Sequence, residues 1–421
     1  MPQTRPEPRR RPTSLTLAYS RQQLEARRRR RERRRRARLR GLALLAGIFF
    51  VAGLAAAWVV REEPAGRSAT APSASPTSST SSSETPTETT PTEAEPGREP
   101  PVDETVTIAA VGDIAMGRDG YTPPAEGAAL FAQVSDLLSG DVVLGNLEQA
   151  LTDSGTSKCG KKETDCFAFR TPPSTADALA GAGFTVLNVA NNHSYDYGQA
   201  GLDDTVAALE RAGLVHTGLV DELPRVRKRP VRVIVLGFGF YSTAESLLDI
   251  PRAEEQVEEA DRWADVVVVT FHGGAEGKDA TRVPRGTETY LGEERGDLRT
   301  FSHAVVDAGA DLVVGHGPHV LRGMEWYNER LIAYSLGNFA GNHTFRTDGR
   351  GGVGGVLQVT LRGDGSWVEG TLAPTALVGD GAPVPDPAEA AHGVVRELSR
   401  KDFGRRAIQV SRTGVLSPPP S

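Results

Sequence analysis

From Thr105 onward, short apolar runs rich in β-branched residues alternate with segments of helical spacing. Runs of this length bounded by turn residues are typical of buried strands, so the alternation predicts an α/β domain. The predicted strands are residues 106–111, 142–144, 185–189, 231–238, 266–271, 312–314, 331–334 and 356–361. The predicted helices are residues 130–138, 174–182, 202–212 and 298–308, with one more at 388–398.

Several predicted strands are followed, where they end, by side chains able to bind metal. These side chains are Asp113, Asn146, Glu148, Asn192, His193, His272, Glu276, His316 and His319. A single histidine is more often a structural or surface residue, but the same kind of position recurs here in five segments. Because strands of an α/β sheet end at one edge, we expect these segments to converge. Carboxylate, amide and imidazole ligands without thiolate suit a divalent metal such as Mn, Zn, Fe or Mg.

The succession of motifs VGDIAMGR, GNLEQALTD, NVANNHSYDYGQAGLDDT, HGGAE and DAGADLVVGHGPHVLRGMEWYNERLIAYSLGNF resembles the CapA family of capsule or poly-γ-glutamate synthesis proteins. That family is similar to the calcineurin-like metallophosphoesterases, and the resemblance covers about residues 106–339. It implies a metallophosphatase-like four-layer α/β/β/α sandwich at residues 104–378, with one or two metal ions at the strand ends. Ala115 and Gly317 stand where relatives often have histidine, so the resemblance leaves the number of ions open.

The resemblance also implies roles for single residues. The implied metal ligands are Asp113, Glu148, Asn192, His272, His316 and His319, without deciding between the last two. Asp113 and His193 are the implied catalytic residues, with His193 protonating the leaving group.

A third group consists of candidates for substrate binding. The residues are Arg118, Asn146, Glu276, Ser335 and Asn338. Strand-end placement would bring them to the same rim, and arginine suits carboxylate or phosphate. The alternatives are a solvated loop for Arg118 and a structural turn for Ser335 and Asn338.

The N-terminal quarter has a different character. Residues 41–60 are apolar and uncharged, which is long enough for a transmembrane helix, and the arginine-rich residues 1–40 before it predict a cytoplasmic N-terminus. A cleaved signal peptide is the alternative. The predicted membrane topology, with a cytoplasmic N-terminus, is enough to explain the arginine-rich residues 1–40, so nucleic-acid binding is not expected. Residues 61–103 are rich in Ser, Thr and Pro and predict a disordered linker, and residues 379–421 predict a helix and a flexible tail.

These observations predict a single-pass protein of the cell membrane whose main domain is extracellular. In such a domain Cys159 and Cys166 favour a disulfide over a metal site. The leading hypothesis is a CapA-like protein of capsule or poly-γ-glutamate synthesis or export with a metal-dependent hydrolase site. Its expected partners are the membrane, an anionic polymer or phosphoester, and membrane polymer-synthase subunits. The alternative is a non-catalytic polymer-binding or assembly subunit that retains a vestigial metal site.

Overall fold

The structure is a computed structural model that describes residues 103–159, 166–227 and 230–420. The strands are β1 (Thr105–Ala115), β2 (Val142–Leu147), β3 (Ala150–Leu151), β4 (Arg170–Thr171), β5 (Val186–Asn188), β6 (Val215–Thr217), β7 (Arg225–Arg227), β8 (Arg232–Phe238), β9 (Val266–His272), β10 (Glu288–Tyr290), β11 (Glu293–Gly296), β12 (Leu312–His316), β13 (Met324–Tyr327), β14 (Arg330–Ala333), β15 (Asn338–Gly341), β16 (Val353–Arg362), β17 (Trp367–Val378), β18 (Ala382–Pro385), β19 (Gln409–Val410) and β20 (Val415–Ser417). The helices are α1 (Ala176–Ala182), α2 (Gly198–Arg211), α3 (Ile250–Trp263), α4 (Leu298–Ala308) and α5 (Ala390–Phe403).

Two mixed sheets form the domain. The larger has the order β19-β20-β17-β16-β1-β2-β5-β6, with β15 paired to β1 and β18 paired to β17. The smaller has the order β13-β14-β12-β9-β8-β7. The neighbours β1, β2, β5 and β6 are parallel, as are β8, β9, β12 and β14. Each sheet therefore has a group of strands whose carboxyl ends point the same way.

The alternation of side chains along the strands explains the layers. Ile108 and Ala110 of β1 belong to a core shared with Val233 and Val235 of β8, whereas Ala109 belongs to a second core that includes residues of α1 and α2. A third core joins the other face of the smaller sheet to α3 and α4. Successive strand side chains point to opposite faces, so both sheets are covered on both sides. The result is the expected mixed α/β fold, with the sheets packed on each other and helices outside.

Local signals place several helix ends. The side chains of Asp249 and Asp297 accept hydrogen bonds from backbone N–H groups in the first turns of α3 and α4. Helix α4 ends at Gly309, with a φ of 134° that suits glycine. The expected helix at 130–138 is wrong: its backbone forms short turns around Ser135–Leu137, because its N–H groups bond to carbonyls three residues back.

The C-terminal segment also differs from the expectation. Its predicted helix corresponds to α5, but the expected flexible tail is wrong for the described residues, because β18 and β20 pair with β17 and β19 pairs with β20. His392 of α5 places its ring nitrogens 2.8 Å and 3.0 Å from the carbonyl oxygens of Leu372 and Arg412. Pairing of backbone groups in the sheet outweighs the polar composition of this segment.

The expected transmembrane segment at 41–60 lies outside the described residues, as does the linker predicted at 61–103 except for its last residue. Within the described part of the chain, no helix combines the length and the apolar character that crossing a membrane requires.

Candidate metal centre

The register of the sheets brings the predicted site residues together. In the larger sheet Asn338, Asp113, Asn146 and Asn188 lie side by side on β15, β1, β2 and β5. In the smaller sheet His316 lies beside His272 on β12 and β9. The strand ends of one sheet therefore supply a carboxylate and amides, and those of the other supply imidazoles.

Asn146 is the hydrogen-bonding hub of this arrangement. Its side-chain nitrogen donates to Asp113 Oδ1 at 2.8 Å and lies 3.1 Å from His272 Nδ1. Its oxygen accepts from the side chains of Asn188 at 2.9 Å and Asn191 at 3.2 Å. Asn146 is fully buried, and these four contacts occupy both N–H donors and both lone pairs of its side-chain amide. In this arrangement Asn146 positions Asp113 and His272, and its predicted substrate contact stays a prediction.

Two histidines of the GHGPH segment reach Asp113. His319 Nδ1 lies 3.1 Å from Asp113 Oδ2 and also 3.1 Å from Asn338 Oδ1, while His316 Nδ1 lies 3.7 Å from Asp113 Oδ1. His319 adopts a φ of 61°, an unfavourable conformation for a residue with a side chain. Strain of this kind is found where a side chain must be presented to a site.

Glu148 completes a group of possible ligands. Its Oε1 lies 3.5 Å from His319 Nε2 and 3.7 Å from His272 Nε2. Asp113, Glu148 and His319 offer ligand atoms that lie within 4.8 Å of one another. Asp113 lies on β1 and Glu148 directly follows β2, both in the larger sheet, whereas His319 lies in the loop after β12 of the smaller sheet.

The hydrogen bonding of these side chains tests whether the residues fit a metal ion. Buried polar atoms are normally paired, but several side-chain atoms of the predicted ligands have no hydrogen-bond partner among the described residues. The atoms are both Glu148 carboxylate oxygens, Asn192 Oδ1, His272 Nε2 and both His316 ring nitrogens. All belong to residues predicted to be metal ligands, and their oxygen and nitrogen atoms suit a divalent cation. The site residues therefore fit the implied metal.

The electrostatics agree with this interpretation. Burial and nearby carboxylates raise the pKa of Glu148 well above its usual value, against the effect of His319. Burial would lower the pKa of His319, but Glu148 and Asp113 raise it to about 10. Burial also lowers the pKa of His316 to about 4, which keeps its imidazole neutral. Burial would raise the pKa of Asp113, but the hydrogen bond and charge of His319 lower it to about 2. A positive charge beside Asp113 is therefore stabilising, and a bound cation would supply one.

His193 lies at the edge of this centre and is oriented by residues that the sequence did not single out. Its Nδ1 lies 2.8 Å from Asp196 Oδ2, which also accepts the N–H of Phe169. The other Asp196 oxygen pairs with Lys158 at 2.7 Å. Burial lowers the pKa of His193, although Asp196 acts in the opposite direction. The spacing of His193 and Asp196 in NNHSYD is the signal from which this pair could have been found.

Glu276 is held over the centre by a buried arginine. Its Oε1 pairs with Arg295 Nη1 at 2.6 Å, and its Oε2 lies 3.8 Å from His319 Nε2. Arg322, fully buried, pairs with Glu288 and donates to the carbonyls of Ala275 and Ala280. The hydrogen bonds of Arg322 therefore hold the loop that carries Glu276 in place.

An open cleft of about 550 Å³ leads to these side chains. His193, Glu276, His319 and Asn338 line it. Ser335 does not fit the predicted substrate role, because it is buried and its hydroxyl donates to the carbonyl of Val320. It instead forms the structural turn considered as its alternative.

The remaining candidates differ in position. Asn338 lines the cleft but donates to the carbonyl of Gly351 and contacts His319. The Arg118 guanidinium lies 4.8 Å from the centre of the Tyr121 ring, and the residue is not among those lining the cleft. Cys159 and Cys166 form the predicted disulfide.

Comparison with known proteins bears on this arrangement. The family model described as bacterial capsule synthesis protein PGA_cap matches residues 107–343, which include the residues described above. The PGA biosynthesis protein CapA of Bacillus subtilis is 33% identical over 257 residues, which are 56% of this chain and 63% of that protein. The capsule biosynthesis protein CapA of Bacillus anthracis is 33% identical over 263 residues, covering 56% of this chain and 60% of that protein. The chain thus spans less than two thirds of these relatives.

A more distant similarity was found among solved structures. A 5′-nucleotidase precursor from Thermus thermophilus aligns with 71% of this chain and 59% of its own, at 14% sequence identity and a TM-score of 0.35. A score this low does not establish a shared fold.

Proposed function

Because the chain belongs to the PGA_cap family of bacterial capsule synthesis proteins, we propose that it acts in the synthesis or export of an anionic envelope polymer such as poly-γ-glutamate. We further propose that its domain is a metal-dependent hydrolase with a metallophosphatase-like site. The observation that carries the proposal is the set of buried side-chain atoms on the predicted ligands that lack hydrogen-bond partners among the described residues. Unpaired buried polar atoms are costly, and metal coordination is a use that accounts for all of them.

The residues that would hold the metal come from both sheets. They are Asp113, Glu148, Asn192, His272, His316 and His319. A bound divalent metal supplies Lewis acidity and activates water. Asn146 would keep Asp113 and His272 in place, because it contacts both.

His193 would donate a proton to the leaving group. Asp196 accepts at Nδ1, which leaves Nε2 as the nitrogen that faces the cleft. A neutral imidazole in this orientation can accept a proton at Nε2 and pass it to the departing oxygen or nitrogen. Phe169, whose ring centre lies 4.3 Å from that of His193, shields one face of the imidazole from water.

The place of action proposed is the outer face of the cell membrane. The support is the composition of residues 1–60, an arginine-rich segment followed by an uncharged apolar stretch. Anchoring would hold the domain near polymer as it leaves the membrane, with polymer-synthase subunits as partners.

Hydrolysis assays on the full-length chain test the proposal. We expect Mn²⁺-dependent cleavage of a small phosphodiester or of a γ-glutamyl amide. Asp113→Asn and His193→Asn should each lower the rate at least about 100-fold, since one removes the negative charge of a ligand and the other a general acid–base group. Asp279→Asn, in the same cleft, and His343→Asn, in an exposed turn, are matched controls that should retain activity.

Unchanged rates in both site variants would contradict the catalytic proposal. Absence of cleavage by the unaltered chain with every metal tried would also contradict it, and would favour a non-catalytic polymer-binding subunit.

A further inference from the structure

The cleft above the candidate metal centre has walls whose chemistry differs from that of its floor. His193 and His319 lie at the floor, next to the buried carboxylates. The walls come from residues 167–169, 276–279 and 344–351, together with Tyr290. The walls are the part of the cleft that a polymer would contact on either side of the reacting bond.

Aromatic rings form the inner part of these walls. The ring centre of Phe169 lies 4.3 Å from that of His193, and the ring centre of Phe345 lies 5.2 Å from that of His319. The two rings meet edge to face, with centres 6.5 Å apart. Phe167 lies farther out and is 57% exposed. An exposed phenylalanine at the mouth of a cleft marks a surface that an apolar group can cover.

Two positive charges that form no ion pair lie on the walls. Lys278 and Arg350 are exposed and come from different segments, and each interacts with a carboxylate, Asp348 or Glu397 respectively, only beyond ion-pair distance. The other arginine of the lining, Arg346, is paired with Asp348 at 2.9 Å. Glu276 is likewise paired with Arg295, which leaves Asp279 as an acidic lining residue without a described partner. The unpaired side chains therefore favour an anionic ligand.

We infer that this cleft binds a chain whose backbone alternates methylene groups with amides and that carries one free carboxylate on each repeat. Phe167 and Phe345 contact the methylene groups, and Lys278 and Arg350 receive the carboxylates that flank the reacting bond. A γ-linked glutamate chain has this chemistry, with two methylene groups in each repeat of its backbone. The inference rests on the proposed function for the class of polymer, and assigns the residues that select it.

Calorimetric binding of a γ-linked glutamate hexamer to the full-length chain in EDTA tests the inference without turnover. Lys278→Glu and Arg350→Glu should each weaken binding about fivefold or more, and more so at low salt. Phe167→Ala should weaken it about threefold or more, through lost apolar contact. Arg285→Glu makes the same charge change at an exposed site outside the lining and should change binding less than about twofold.

Tripolyphosphate serves as a probe that carries negative charge but has no methylene groups. It should bind more weakly than the hexamer and be insensitive to Phe167→Ala. Equal weakening by Arg285→Glu, no effect of Phe167→Ala on the hexamer, or no binding by the unaltered chain would each overturn the inference. Since the assay needs neither metal nor hydrolysis, its failure can be distinguished from failure of the hydrolase proposal.

Discussion

Asp196 contacts three groups at once, and it is the residue that determines how His193 is presented. Its side chain is fully buried and receives His193 Nδ1, the Phe169 N–H and the Lys158 ammonium at 2.6–2.8 Å. Lys158 also donates to the carbonyl of Asn192, the residue before His193. Asp196 is thus a positioning residue, and it acts through the imidazole.

Replacement of Asp196 by Asn should lower turnover about 100-fold or more, because the amide can no longer hold His193 in the tautomer that exposes Nε2 to the cleft. KM and metal content should change little, since Asp196 touches neither the cleft nor the ligands. Lys158→Met, which leaves the contact between Asp196 and His193 intact, is the control and should lose less activity. Steady-state kinetics of both variants would check this, and equal turnover of Asp196→Asn and the unaltered chain would contradict it.

The kinds of residues in the site could be predicted from the sequence, but their individual tasks could not. Asp113, Glu148 and His272 follow recognisable strands, so their convergence follows from the strand-end rule. The role of Asn146 depends on sheet register, which decides which side chains are neighbours. Asn188 and Asn191 support Asn146 for the same reason, and local sequence carries no information about that contact.

Four strands are preceded by a residue that makes the same type of hydrogen bond to the neighbouring strand. The residue just before each strand accepts, through its side-chain oxygen, a backbone N–H of the neighbouring parallel strand. The pairs are Asp141 with Thr107, Thr185 with Val143, Asp265 with Arg232, and Asp311 with Val267, at 2.8–2.9 Å. This hydrogen bond fixes the register between neighbouring strands. It therefore also fixes how the predicted ligands at the other ends of the strands are aligned.

At Asp311 this hydrogen bond between strands makes the stability of the fold sensitive to pH. Burial raises the pKa of Asp311 to about 7 from its usual 3.8, although Arg330 and the Val267 N–H act in the opposite direction. Between those two values the folded chain holds more protons than the unfolded chain, so the free energy of unfolding falls as pH rises. The loss should be on the order of 2 to 4 kcal/mol between about pH 4 and pH 7.

Thermal unfolding of the full-length chain across this pH range would measure the effect. Asp311→Asn should flatten the dependence, since the amide accepts the Val267 N–H without ionising. A slope that is the same in Asp311→Asn and the unaltered chain would contradict the assignment to Asp311.

Some elements could be predicted and others were missed for physical reasons. The buried strands β8, β9 and β12 are continuous apolar runs between turn residues, which local pattern identifies. Helix α3 was missed because its exposed face is strongly charged and its apolar stripe is narrow, with Ala253, Val257 and Ala260 buried. Strands β19 and β20 were missed because β20 is defined by its pairing with β17, far away in sequence, and β19 by its pairing with β20.

On the scale of the whole domain, the candidate centre exists only where both sheets meet. Asp113 and Glu148 come from the larger sheet and its loops, and His272 and His316 come from the smaller one. The core shared by the sheets, which includes Ile108 and Val268, holds the two halves together. This division could not be predicted, because sequence pattern identifies the strands but not which sheet each joins.

The most direct test is the metal content of the purified full-length chain after exhaustive dialysis, measured by mass spectrometry. We predict close to stoichiometric divalent transition metal in the unaltered chain and in Asp279→Asn. Asp113→Asn in the larger sheet and His316→Asn in the smaller sheet should each lose most of it, on the order of a tenfold or greater loss of affinity. A dialysed chain without transition metal, or full metal content in both site variants, would contradict a metal centre shared by the two sheets.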